Sequence, residues 1–409
     1  MTEDVFARYG RWLLCGTALL MLLTAAFNRV VDPFQYFGDM RIQGFNAIKS
    51  RLRFFEREVK PAVLRRDRPE SVIIGSSVAA IGFEPLHPSL SRGEPGKSYN
   101  FAFAGAPWNE AFCALEYVLA HTEVKRIVFG MVAQSMPDED CSRMFAAMDE
   151  TRLAEVLVSP QAVQHSIKTL RSQDPREPQR HTPEGRYVFF RDDPRVEHRA
   201  RVFFEEYLRG KITCSEERLR RSLDVPTPLL VQDPAAPFDT SGLKRILSQI
   251  SGRDIKLKIV IYPRHVVGAE AEYLCGEELQ RWRAMFRLAQ YLEEHPPAPP
   301  ASVEVWEFQG YGPEFSEPLG GGVLTYWQDP IHFNPELGNA MLDAMFSTGN
   351  TGSDPVTGFG YRVTSATLAA RYRWLSDQRA LYLKAHPETW DALMRLVPPE
   401  IKRSSSTAK

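Results

Sequence analysis

The sequence predicts an α/β fold with a mostly parallel sheet, preceded by an N-terminal membrane helix and interrupted by a helical insertion. Three observations carry this expectation. Several short runs are almost continuously apolar and rich in Val and Ile, the pattern of strands buried on both faces. Helical patterns separate these runs, and alternating strands and helices imply parallel pairing. Near the N-terminus, Trp12 to Phe27 form a run of about sixteen uncharged residues, between a signal-peptide core and a full membrane span.

Arg8 and Arg11 precede that run, and Val30 and Val31 lengthen it if Asn28 and Arg29 sit at the interface. Thr24-Ala25-Ala26 is a passable cleavage site. Residues 1–31 are therefore an anchor or a signal, and the anchor reading is favoured. A long domain behind a first apolar segment tends to be translocated. Asp32-Pro33-Phe34 is a turn that ends the helix. Residues 32–68 make a connector, with amphipathic helical character from 40 onward. The α/β domain is expected over 69–345. Its candidate strands are Ser71–Gly75, Tyr99–Phe103, Arg126–Val132, Leu257–Tyr262 and Val303–Phe308, with helices at Asn109–His121 and Gly242–Ile250. Residues 133–256 break the pattern and read as an insertion. It holds helical pieces at Thr151–Leu157, Pro194–Leu208 and Ser215–Leu223, separated by Pro- and Asp-rich turns. Glu293–Pro300 is a stiff Pro-rich loop. Residues 346–409 form a Gly/Ser/Asn loop, a charged helical tail from Ser365 to Leu396 and a Lys/Ser end.

Of the 409 residues, 44% are hydrophobic and 25% charged, which is enough for one large or two medium domains. Lys+Arg 50 balances Asp+Glu 51, so there is no global drive toward nucleic acid. The five cysteines form no C-x-x-C, which gives no support for zinc or a thioredoxin-type site. Disulfides are possible outside the cytoplasm, but no pairing is dictated. Asp138, Glu139 and Asp140 lack a ligand spacing, and Gly320-Gly321-Gly322 is not followed by a Walker Lys-Ser/Thr, so neither a metal nor a cofactor is expected.

The chemistry lies in two distant segments. Ser71-Val72-Ile73-Ile74-Gly75-Ser76-Ser77 delivers a serine at the end of a strand, and Asp329-Pro330-Ile331-His332 sets a carboxylate three residues from an imidazole. A hydroxyl nucleophile, a base to take its proton and a carboxylate to orient that base are the parts of acyl transfer. Ser77, His332 and Asp329 are the candidate catalytic residues. Gly105 ends the second strand, and its N–H would join that of Ser77 in an oxyanion hole. Each piece has a plainer reading: a turn and helix cap at Gly-Ser-Ser, a turn glycine at 105, a capping Asp329 and a packed His332. His265, just past the fourth strand, is a candidate substrate contact. The other histidines, among them His87, His165 and His181, read as surface or loop residues.

These residues resemble the SGNH (GDSL-like) hydrolase superfamily, in particular membrane-anchored bacterial members associated with cell-envelope polysaccharide loci. The matching pieces are the anchor, Val-Asp-Pro-Phe after it, Gly-Phe-Asn-Ala-Ile-Lys at 44–49, Ile-Ile-Gly-Ser-Ser at 73–77, Tyr-Asn-Phe-Ala-Phe-Ala-Gly-Ala at 99–106 and Asp-Pro-Ile-His-Phe-Asn-Pro-Glu-Leu-Gly at 329–338. The resemblance implies a three-layer α/β/α fold with Ser77 as nucleophile, Gly105 in the oxyanion hole and an Asp329–His332 pair. Ser76 stands where the family usually has Asp, as in members similar to D-alanyl and alginate acetyl transfer proteins. The family's Gly-x-Asn-Asp block is replaced by Gly130-Met131-Val132-Ala133-Gln134. The third oxyanion donor is therefore open, with Gln134, Asn109 and Asn100 as candidates.

The expected function is an extracytoplasmic serine esterase or O-acyltransferase. It would sit in the inner membrane by one helix, with its main domain in the periplasm. Its substrate would be an acylated cell-surface glycan, and membrane proteins of polysaccharide biosynthesis are possible partners. Two rivals remain: a non-catalytic scaffold or glycan-binding protein of the same assembly system, and a cytoplasmic lipase- or thioesterase-like enzyme whose apolar run is a core helix.

Overall fold

A computed structural model describes residues 2–49, 51–92, 94, 96–150, 152–174, 179–189, 238–275, 277–318, 324–346 and 356–396. In chain order its elements are α1 (Thr2–Val31), a 3₁₀ turn (Leu52–Phe54), α2 (Glu56–Asp67), β1 (Ser71–Ile74), α3 (Ser77–Gly82), α4 (Pro88–Ser91), β2 (Ser98–Asn100), α5 (Trp108–His121), β3 (Arg126–Met131), α6 (Ser142–Asp149), α7 (Leu153–Val158), α8 (Pro160–Arg171), β4 (Gln179–His181), β5 (Tyr187–Phe189), α9 (Ser241–Ile250), β6 (Lys256–Ile261), α10 (Val266–Leu274), α11 (Glu277–Glu294), β7 (Ser302–Glu307), α12 (Pro335–Phe346), β8 (Tyr361–Arg362), α13 (Leu368–Ala385) and α14 (Pro387–Leu396). The helical pieces expected at 194–208 and 215–223, the Gly320–Gly322 segment and the Lys/Ser end lie outside the described residues.

The chain divides into two compact units. Unit 1 comprises Met1–Asp67 and Ser142–Phe190, and unit 2 comprises Arg68–Cys141 and Arg191–Lys409. The stretch from Ser142, expected as part of an insertion in the α/β domain, thus packs with the N-terminal helix and the connector.

Unit 1 is built around the end of α1. Within it, Val5–Val31 is long and apolar enough to cross a membrane. The last carbonyls of a helix lack intrahelical partners and favour positive charge. Asn46 Nδ2 donates to Val30 O at 2.8 Å, and Lys49 Nζ donates to Val31 O and Asp32 O at 2.8 and 2.7 Å. The Gly-Phe-Asn-Ala-Ile-Lys motif is therefore the cap of the apolar helix. Burial pulls the Lys49 ammonium down to about 8. Lys49 also bridges His181 in the β4–β5 hairpin.

His181, expected as a surface or loop residue, is buried in the β4–β5 hairpin, and its ring stacks on Tyr187 with centroids 4.9 Å apart. Burial lowers its pKa to about 4 from 6.5, against the opposing pull of Glu56, whose Oε2 stands 3.4 Å from Nε2. The folded state resists a proton that the unfolded chain accepts. Stability is therefore lost as pH falls from 6.5 toward 4, by up to about 3 kcal/mol. Thermal melts of the protein and of His181→Phe across this window should show the drop in the first and a shallower slope in the second. Equal slopes would refute the assignment.

Unit 2 holds a six-stranded sheet of order β2-β1-β3-β6-β7-β8, parallel except for β8, which pairs antiparallel with β7. The Val/Ile runs are its centre: Val72 to Ile74, Ile127 to Phe129 and Ile259 to Val260 are fully buried. The five expected strands are present, with ends displaced by about one residue. The second differs more. Regular pairing stops at Asn100, and the chain continues extended with Phe101 N and Phe103 N donating to Ile73 O and Gly75 O at 2.8 and 3.1 Å.

The expected tail is part of this unit. Arg371 of α13 is buried and reaches Glu307 at the end of β7 (3.2 Å), Gln309 O (3.0 Å) and Val356 O (2.8 Å). A buried charge requires such pairing, which ties the helix to the sheet. Cys113 of α5 and Cys141 form a disulfide across 28 residues.

Candidate active site

From β1 the chain steps left to β2 and right to β3. The crevice at the carboxyl ends of β1 and β3 is therefore the topological switch point, where open α/β sheets bind ligands. Ser77 stands there as the first residue of α3, so its N–H has no helical carbonyl to bond. The turn requires Gly75. Its φ of +148° disfavours a side chain, and a Cβ would stand 2.3 Å from Tyr262 Oη and 2.7 Å from Gly130 O.

The structure brings the two distant segments together. Ser77 Oγ lies 2.8 Å from His332 Nε2, and His332 Nδ1 lies 2.6 Å from Asp329 Oδ2. Asp329 Oδ1 accepts from Ile331 N and His332 N, each at 2.9 Å. One carboxylate oxygen thus shapes the backbone turn and the other faces the ring. With Nδ1–H donating to Asp329, the Nε2 lone pair is left to receive the Ser77 proton. Ser77 is partly exposed, whereas Asp329 is buried.

The His332 segment is clamped from three sides. Trp327 and Phe333 form an isolated bridge, with Gln328 N donating to His332 O at 2.8 Å. Buried Asn334 donates to the carbonyls of Leu324, Thr325 and Trp327 at 3.2, 3.0 and 2.9 Å. At the start of α10, His265 N donates to Pro330 O at 3.1 Å, and Gly268 packs against Pro330.

The third clamp joins base to nucleophile. A Cβ on Gly82 of α3 would stand 2.1 Å from the Phe333 ring, and one on Gly338 of α12 would stand 1.9 Å from Gly82 O. The helix that starts at Ser77 and the helix that follows His332 therefore touch backbone to backbone. Gly338→Ala should force them apart, costing about 1–3 kcal/mol. A fall in Tm together with a larger loss of any Ser77-dependent activity is expected, and an unchanged melt would refute the contact.

Tyr262 was not singled out from the sequence. Its hydroxyl accepts from Ser76 N at 3.1 Å, and its ring covers Gly130, where a Cβ would stand 2.3 Å away. Burial raises its pKa to about 12, so the phenol stays neutral. The signal was Gly130 inside an apolar strand, since such a glycine marks close approach by another group.

The remaining expectations divide. Gly105 sits in a turn with φ of +69°, two residues beyond the Phe103 N–Gly75 O bond. Asn100 is excluded as a third oxyanion donor. Its buried amide donates to Ala79 O and Phe83 O at 3.0 and 3.2 Å, and its oxygen accepts from Ala102 N at 3.2 Å. Gln134 is half-buried just past β3, and Asn109 is exposed on the first turn of α5; neither is hydrogen-bonded to Ser77, Asp329 or His332. His265 is corrected from a substrate contact to a structural cap. It is buried, Nδ1 accepts from Val267 N at 3.3 Å, and Nε2 lies 2.9 Å from Glu317 O. Burial drops its pKa to about 4, which keeps it neutral.

Among the described residues no group of three His, Cys, Asp or Glu could hold a metal ion. Comparison of the chain with models of known protein families and with curated protein sequences found no match. What stands is an α/β unit whose mostly parallel sheet carries a hydrogen-bonded Ser–His–Asp set at its switch point.

Proposed function

We propose that this protein is a membrane-anchored serine esterase or O-acyltransferase acting on acyl esters of a cell-surface polysaccharide. The observation that carries the reading is the unbroken relay from Ser77 Oγ through His332 to Asp329. Ser77 Oγ attacks the ester carbonyl as its proton passes to His332 Nε2. The N–H groups of Ser77 and Gly105 receive the negative charge on the carbonyl oxygen. Collapse breaks the bond to the sugar oxygen, which takes the proton from Nε2, and the acyl group stays on Ser77. Water or another sugar hydroxyl then attacks the acyl carbon as its proton passes to His332 Nε2, and Ser77 Oγ leaves by taking that proton back. The resemblance to SGNH hydrolases of polysaccharide loci supports the substrate class and the three-layer fold, with biosynthetic membrane proteins as partners. The Cys113–Cys141 disulfide supports an oxidising compartment, hence a periplasmic main domain behind α1.

The test is fluorophosphonate labelling of the full-length protein, with mass spectrometry to locate the adduct. An adduct on Ser77 that vanishes in His332→Ala is expected. A folded protein that takes no adduct would overturn the enzyme reading in favour of a scaffold or glycan-binding role.

A further inference from the structure

The end of α1 is built into unit 1, and the helices that pack there carry exposed apolar side chains among polar ones such as Glu155, Gln161 and Gln164. Asn28 Nδ2 donates to Leu157 O of α7 at 2.8 Å, and Ser166 Oγ of α8 donates to Asn28 Oδ1 at 2.7 Å. These two short helices therefore stand beside the last turn of the apolar helix. Outward from them point Leu153 (41% exposed), Val158 (40%) and Ile167 (39%). Half-buried Val163 and Leu170 extend the Ile167 stripe by a turn in each direction, and exposed Lys168 and Arg171 flank it.

The end of the crossing stretch sets where this surface sits. The stretch long and apolar enough to cross a membrane runs from Val5 to Val31, so the turn holding Asn28 to Val31 is its last. That turn, and with it α7 and α8, is drawn to the edge of the bilayer.

On the reading of α1 as a membrane span, we propose that α7 and α8 form a collar seated in the lipid headgroup layer of the same membrane. Leu153, Val158 and Ile167 meet the acyl chains, while Lys168 and Arg171 meet lipid phosphates. This is how amphipathic interfacial helices bind, with the span supplying proximity. The collar also shields the buried Asn28–Ser166 pair from the hydrocarbon, where unsatisfied polar groups are costly.

The test places p-benzoylphenylalanine singly at positions 22, 153, 158 and 167 of the full-length protein in phosphatidylglycerol-containing vesicles. After irradiation, lipid adducts are counted by mass spectrometry against the unsubstituted protein. Leu22, exposed on α1, reports the span itself. Adducts at all four positions are expected. An adduct at 22 with none at 153, 158 or 167 would overturn the collar and leave the span standing. No adduct at 22 would overturn the span reading, and the collar with it.

Discussion

Replacing Ser77 by alanine is expected to abolish ester cleavage, a loss on the order of 10⁶-fold, while leaving the thermal melt nearly unchanged. The two halves of that expectation have separate causes. The hydroxyl is the atom that bonds to the acyl group, and no neighbouring oxygen in the relay can replace it: Asp329 Oδ1 is held by two backbone N–H groups and Oδ2 by the imidazole. The fold, by contrast, uses little of Ser77. Its Oγ meets His332, the residue is partly exposed, and alanine suits the first position of α3. The stability change should therefore stay within about 0.5 kcal/mol. Hydrolysis of a chromogenic acetyl ester alongside a melt separates the effects. Cleavage retained in this variant would sink the assignment of Ser77.

Asp329→Asn should cost about 10⁴-fold in turnover without unfolding unit 2. Asparagine can keep its carbonyl oxygen on Ile331 N and His332 N, because those bonds set the turn. Its amide nitrogen then faces His332 Nδ1 and donates to it. The imidazole must accept at Nδ1 and carry its proton on Nε2, where it donates to the Ser77 hydroxyl and has no lone pair left to take the serine's proton. The nucleophile loses its base although every heavy atom stays near its place. Combined with Ser77→Ala, the change should add almost nothing, since residues acting as one unit are not additive. Turnover of Asp329→Asn within about tenfold of the unsubstituted protein would show that the carboxylate does not set the tautomer.

The glycines show how far local sequence reaches. Gly75 and Gly105 were readable as turn residues, because their positions after apolar runs call for sharp reversals. Gly82, Gly130 and Gly338 were not, because what excludes a side chain at each is a ring or carbonyl from far along the chain. Asn100, one of three open candidates for the third oxyanion donor, falls away for the same reason. A polar side chain on a strand beside Ser77 suits an oxyanion hole, yet here its amide is consumed by carbonyls at the end of α3. Histidines behaved likewise: His181 and His265 are buried and neutral through packing that no local pattern announces.

By itself the sequence determined the apolar helix, the five strand segments and a mostly parallel sheet, because apolar periodicity and strand–helix alternation are properties of neighbours along the chain. It also determined which residue types were available for acyl chemistry. Only the tertiary structure decided that Ser77 and His332, 255 residues apart, share a hydrogen bond, and that unit 1 gathers α1 with a segment more than a hundred residues away. The physical reason is the same in both cases. Such contacts are fixed by close packing and by the need to satisfy buried polar groups, and both depend on which surfaces meet once the chain has folded.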